Sequence, residues 1–146
     1  MEASAGTRRP EFPALVPELL VGSLDTSLGF WCGLCGFDVL YDRRDEGFAY
    51  LASGAAHLML EEAGIGRNWR TGELDRPLGR GINLQIGVPG VAPLLGALER
   101  AGWPLFMAPE VKWYRTGEDT EAGVEQFLVQ DPDGYLIRFQ ASIGRR

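Results

Sequence analysis

The order strand, helix, three strands occurs twice along this chain, and that duplication restricts the fold more than any single motif. In the first half, a strand signal over Ala14–Val21 precedes Leu24, Leu28, Phe30, Trp31 and Leu34, an approximate helical stripe that Gly36 stops. Phe37–Tyr41, Phe48–Ala52 and Ala56–Glu61 then read as strands divided by the turns Asp45-Glu46-Gly47 and Ser53-Gly54. The second half gives a strand over Gly81–Ile86 and a helix over Val91–Gly102 with Leu94, Leu95 and Leu98 as its stripe. Strands follow from Pro104 to Met107 and on towards Tyr114, over Val124–Gln130 and over Tyr135–Gln140. Short turns imply antiparallel pairing within each run of three. The expectation is an α+β chain of two βαβββ modules. Each forms a four-stranded sheet with a helix on its outer face, and the other faces look into a shared cleft. Module one spans residues 14–62, a linker 63–79 and module two 80–140, making one domain over 14–140. A loose arm over 1–13 and a tail over 141–146 flank it.

The bulk properties narrow the partners. At 146 residues with 45% hydrophobic content, the chain is one domain that buries a real core unaided. A net charge of −6 disfavours nucleic acid and favours cationic ligands. No apolar run reaches the ~18 residues of a membrane span, and no leader opens the chain, so the expected location is cytoplasmic. Cys32 and Cys35 form a C-x-x-C at the end of a helix, not at the N-terminus where a thiolate is stabilised. With no second pair to complete a zinc site, they read as packing residues.

Two stretches carry a likeness. Asp131-Pro132-Asp133-Gly134-Tyr135-Leu136-Ile137-Arg138-Phe139 resembles a signature of the glyoxalase, bleomycin-resistance and extradiol-dioxygenase (vicinal oxygen chelate) superfamily. Leu24 to Trp31, with Leu34-Cys35-Gly36-Phe37, resembles its first helix. With the repeat, the likeness covers about residues 14–140. Leu58-Met59-Leu60-Glu61 and Arg138 look closest to bleomycin resistance proteins. The resemblance implies a curved mixed sheet with a cleft, built by a homodimer that sequesters an antibiotic without modifying it.

Metal-dependent relatives hold their ion at four cleft positions, which the resemblance places at Val16, Glu61, Asn83 and Arg138. Only Glu61 is a good hard-metal ligand, and a guanidinium repels a cation. The expectation is therefore no metal, no cofactor and no catalytic residue. A two-residue slip in the first strand would bring Glu18 into the cleft in place of Val16, and two carboxylates would make metal binding more plausible. His57 shares strand parity with Glu61, and Gln140 with Arg138; Glu61 and Arg138 occupy equivalent positions in the two modules, open to an ion pair across the cleft.

The expected ligand-binding set is Trp69, Trp113, Met59, Glu61, Asn83, Gln85, Arg138, Phe48, Tyr50 and Phe127. Trp69 in a Gly-rich linker and Trp113 beside a polar turn are poorly explained by core packing, and aromatic faces stack on planar heterocycles and cations. The expected partner is a small molecule, a glycopeptide or another planar or cationic natural product such as an enediyne or mitomycin. The alternative is a metal-dependent lyase, isomerase or thiol transferase of glyoxalase type.

Overall fold

The computed structural model describes residues 12–146; of the expected arm, residues 1–11 lie outside the described residues. Sheet A carries β1 (Glu18–Val21), β2 (Asp38–Arg43), β3 (Phe48–Ser53) and β4 (Ala56–Glu62) in the order β1-β4-β3-β2. Sheet B carries β5 (Asn83–Gly87), β6 (Met107–Arg115), β7 (Glu121–Gln130) and β8 (Leu136–Arg145) in the order β5-β8-β7-β6. In each, the first strand runs parallel to the last and the remaining pairs are antiparallel. The two sheets are copies in topology, so the duplicated architecture read from the sequence is the architecture of the chain.

Helices α1 (Leu24–Leu28) and α2 (Ala92–Arg100) follow the first strand of each module. Ser23 caps α1 in extended conformation, its hydroxyl accepting from the Thr26 N–H at 3.2 Å. The helix then widens into a π-helical stretch over Gly29–Leu34. Consecutive residues of an α-helix diverge by about 100°, yet Phe30 and Trp31 are both buried. The wider turn lets both rings point inward. Phe30 meets Trp103 of module two at 5.1 Å, and Trp31 packs on Phe37 at 5.2 Å. Behind them, Leu19, Val21, Leu51, Leu60, Phe127, Val129, Ile137 and Phe139 join one core. Cys35 belongs to it, burial pushing its thiol up to about 12; both cysteines are free, as packing residues would be.

Three expectations change. β1 begins at Glu18, not Ala14, because Pro17 has no N–H to donate and its carbonyl only accepts from Met59 at 2.9 Å. β6 begins at Met107, not Pro104, and then runs through Pro109, which is tolerated because β6 is an edge strand with a register shift there. Residues 141–145 are the end of β8, paired with β7, so the expected tail is largely strand.

The Asp131-Pro132-Asp133-Gly134 turn clamps the modules together. Oδ1 of Asp131 accepts the backbone N–H of Asp133 and of Tyr135, both at 2.9 Å, and Oδ2 accepts the Trp31 indole N–H at 3.4 Å. Asp133 accepts from the Gly22 N–H at 3.0 Å and from Arg76 at 2.7 Å, with the Ser27 hydroxyl at 3.5 Å. Tyr135 donates its hydroxyl to the Leu20 carbonyl at 2.8 Å. Gly134 has φ +99, and a Cβ there would come within 2.6 Å of the Pro77 backbone.

Burial raises the Asp131 carboxyl to about 6, outweighing the three N–H groups that favour its charged form. Between about pH 4 and 6 the folded chain therefore holds a proton that the unfolded chain has released. Its contribution to stability is fully present below about pH 4 and lost as pH rises through about 6, a change of about 3 kcal/mol. Urea unfolding at pH 5 and pH 8 should show this as a slope that Asp131→Asn flattens. An unchanged slope in that variant would assign the pH dependence elsewhere.

Candidate functional site

The face of sheet A away from the core is set by strand parity. Leu58 and Leu60 of β4 point into the core, so His57, Met59 and Glu61 point the other way. Register places Glu18 beside Met59, Leu20 beside Glu61, Phe48 opposite Glu61, Tyr50 opposite Met59, and Tyr41 and Arg43 beyond them. Glu18, not Val16, is the outward residue at the start of β1, the slip by two that the sequence leaves open.

A cavity of about 390 Å³ lies at one end of this face, lined by Glu18, Glu61, Phe48, Arg43, Glu46 and the linker residues Gly66, Arg67 and Trp69. Its floor is acidic. Burial, and then the neighbouring Glu61 carboxyl, raise the Glu18 carboxyl above the ordinary range. Its walls are aromatic. Trp69 is 74% exposed. Both aromatic faces already carry a guanidinium of the chain: Arg67 stands 4.7 Å from the Trp69 ring centre and Arg43 4.0 Å from that of Phe48. Arg43 is held there by Glu46 at 2.6 Å. The linker passes close over the floor, for a Cβ on Gly66 would lie 3.0 Å from Glu61 Oε1.

A second cavity, about 260 Å³, lies at the seam between modules. Pro13, Leu15, Pro17, His57 and Leu58 line one side, and Asn83, Leu84, Gln85 and Ile86 the other. The imidazole of His57 hydrogen-bonds the Tyr50 hydroxyl through Nδ1 at 2.7 Å.

The structure thus gathers Glu61, Phe48 and Trp69 into one cavity, with Met59 and Tyr50 in register beside it, and puts Asn83 and Gln85 in the other. Arg138 sits next to Gln85 in register, its Nε buried without a hydrogen-bond partner and no ion pair formed among the described residues. Glu61 and Arg138 do not pair within the chain. Two expected residues are misplaced. Phe127 is fully buried against Phe139 at 5.5 Å on the core face. Trp113 packs over Gly123 at the far end of β6, beneath the Arg146 guanidinium at 4.2 Å, and shares Phe127's side of the sheet. Aromatic character alone did not tell the faces apart; counting strand parity from Ile137 and Phe139 would have. Glu18, Arg43, Glu46 and Arg67 were missed as a set, though Glu18 was recognised as the alternative to Val16. The others stand out in sequence only as ordinary surface charges.

Among the described residues no helix is long and apolar enough to cross a membrane, and no three His, Cys, Asp or Glu side chains converge as a metal site.

No family model matches the chain. It is 28% identical over 132 residues, 85% of this chain and 92% of the relative, to a bleomycin resistance protein of Geobacillus stearothermophilus. Bleomycin resistance proteins of Staphylococcus aureus match to the same extent. Among solved structures, TioX from Micromonospora sp. ML1 superposes with a TM-score of 0.67 at 18% identity, covering 90% of this chain and 100% of that one. Virulence protein STM3117 from Salmonella typhimurium superposes at 0.63 and 19% identity, covering 87% and 94%. At these identities the structures speak to the fold alone. A near full-length sequence likeness to bleomycin resistance proteins, two βαβββ modules and the Asp131–Gly134 turn that joins them agree with one another: the chain has the glyoxalase/bleomycin resistance fold and is similar in sequence to bleomycin resistance proteins over most of its length.

Proposed function

We propose that this protein binds a planar, cationic small molecule and withholds it, as a resistance protein of bleomycin type would, without transforming it. The observation that carries this reading is the cavity of Glu18, Glu61, Phe48 and Trp69. Two carboxylates at the floor attract a cation, and two aromatic faces that already hold guanidinium groups suit its planar part. A cytoplasmic homodimer is part of the proposal. The outward face of sheet B, with Gln85 and Arg138, would complete a cleft on the partner's sheet A. Sedimentation of the purified protein tests this, and a monomer at all concentrations would remove it.

Titration with bleomycin, followed by calorimetry and by tryptophan fluorescence, tests the ligand. Trp31 is buried while Trp69 is exposed, so quenching should come chiefly from Trp69. Trp69→Ala should abolish most of that signal and weaken binding roughly ten-fold, the size of one lost stacking contact. No heat and no quenching with bleomycin or any other cationic, planar antibiotic would end the reading.

The adjacency of Glu18 and Glu61 favours one second reading, a metal-dependent enzyme of glyoxalase type. As a donor set it is incomplete. Module two offers Asn83 or Gln85 and the guanidinium of Arg138, which stands where Glu61 stands in module one. A catalytic ion needs three protein ligands as a rule, and an arginine repels it. Metal analysis of protein purified without chelator decides. A stoichiometric divalent ion that is lost in Glu61→Gln would replace the binding reading with the enzymatic one.

A further inference from the structure

The outward face of sheet A continues past Glu61 to a second aromatic cluster. Tyr41 stacks on Tyr50 with ring centres 5.1 Å apart and planes 14° from parallel. Tyr50 and His57 stand nearly perpendicular, tied by their hydrogen bond. A fourth ring joins them from outside the sheet: Phe12 meets Tyr50 edge-on at 5.2 Å and His57 at 5.7 Å.

Phe12 is not held as core residues are. It remains 51% exposed. The segment that carries it, residues 12–17, forms no strand, since Pro13 and Pro17 have no N–H to donate. Its carbonyl contact at Pro17 fixes the segment's end next to β1. A half-exposed ring whose ring contacts among the described residues are two edge contacts is exchangeable for another ring that makes the same contacts.

We infer that Tyr41, Tyr50 and His57 form a ring-binding subsite, which Phe12 fills when no ligand does. The inference rests on the binding function proposed above and adds a dimension to it. Glu61 and His57 lie on the same face of β4 four residues apart, roughly 13 Å along a strand. The ligand class is therefore an elongated molecule whose cationic group and flat aromatic ring are separated by about that distance. Met59 and Tyr50 floor the path between them.

The sole histidine makes the test clean. Full-length protein and its Phe12→Ala variant are titrated with indole, a neutral ring, while the imidazole signals of His57 are followed by NMR. Indole needs no acidic partner, so the result is independent of whether bleomycin binds at Glu18 and Glu61. The His57 signals should move in both proteins, at a roughly ten-fold lower half-saturating concentration in Phe12→Ala. Phe12→Trp should restore the masked behaviour. Equal half-saturation in wild type and Phe12→Ala, weaker binding in the variant, or no movement of His57 in either protein would overturn the subsite. Failure of bleomycin to bind, with the indole result intact, would remove the ligand assignment and leave the subsite standing.

Discussion

Asp133→Ala should lower stability by about 3 kcal/mol, a fall in Tm of about 10 °C, although Asp133 lies in a turn. The carboxylate is 3% exposed and serves three elements at once. It accepts from Gly22 at the end of β1, from Arg76 in the linker and approaches Ser27 in α1. Truncation leaves the Gly22 N–H partly buried without its acceptor and removes the only charge that holds Arg76 among the described residues. An unmade buried hydrogen bond costs its desolvation, and breaking a charge pair adds to it. Asp133→Asn keeps an acceptor and should lose less than half as much. Arg76→Ala should cost about 1 kcal/mol, because the guanidinium is 61% exposed and water replaces its partner. Urea unfolding of the three variants measures the series. Equal small losses in all three would mean that the modules are held by the shared core alone.

Glu61→Lys should move binding and stability in opposite directions. An ammonium beside Glu18 would neutralise the cavity floor and repel a cationic ligand, weakening bleomycin binding at least roughly 100-fold. Stability should hold or rise by a few tenths of a kcal/mol, since Glu18 exchanges a like-charged neighbour for an opposite one in a largely solvated place. Calorimetry with bleomycin and urea unfolding at pH 7.5 check the two halves separately. Unaltered affinity in a folded Glu61→Lys protein would take the acidic floor out of recognition. A collapse in stability would show that Glu61 serves the fold.

The architecture was legible because it is stated twice. Helix stops at Gly36 and Gly102 and turns at Gly47 and Gly54 punctuate the chain where the structure turns, and Gly36, Gly47, Gly54 and Gly102 all take positive φ. What escaped were features whose cause is tertiary. The 141–145 segment looks weak as a strand, with Ser142 and Gly144, yet β7 is long enough to pair it. The π-helical widening depends on two rings finding partners in different places, one in module two. The Asp131–Gly134 motif was recognisable as a turn, but its carboxylates act on residues 100 and 111 positions away. At the site, Glu61 followed from the family resemblance and Met59 from its parity with Glu61 along β4, whereas Phe48 was named for its aromatic character alone. Phe127 and Trp113 were misplaced, because side choice in β6 and β7 is fixed by the core partners Phe139 and Gly123 and not by the tryptophan or phenylalanine itself.

The linker between the modules has two occupations: Trp69 and Arg67 wall the cavity at one end, and Arg76 grips Asp133 at the other. A guest that settles on Trp69 therefore restrains a tether whose far end is anchored in the joint between the duplicated halves. If the proposed binding at Trp69 holds, occupancy and heat resistance become readings of a single equilibrium, and a plain melting assay screens compound collections for a guest.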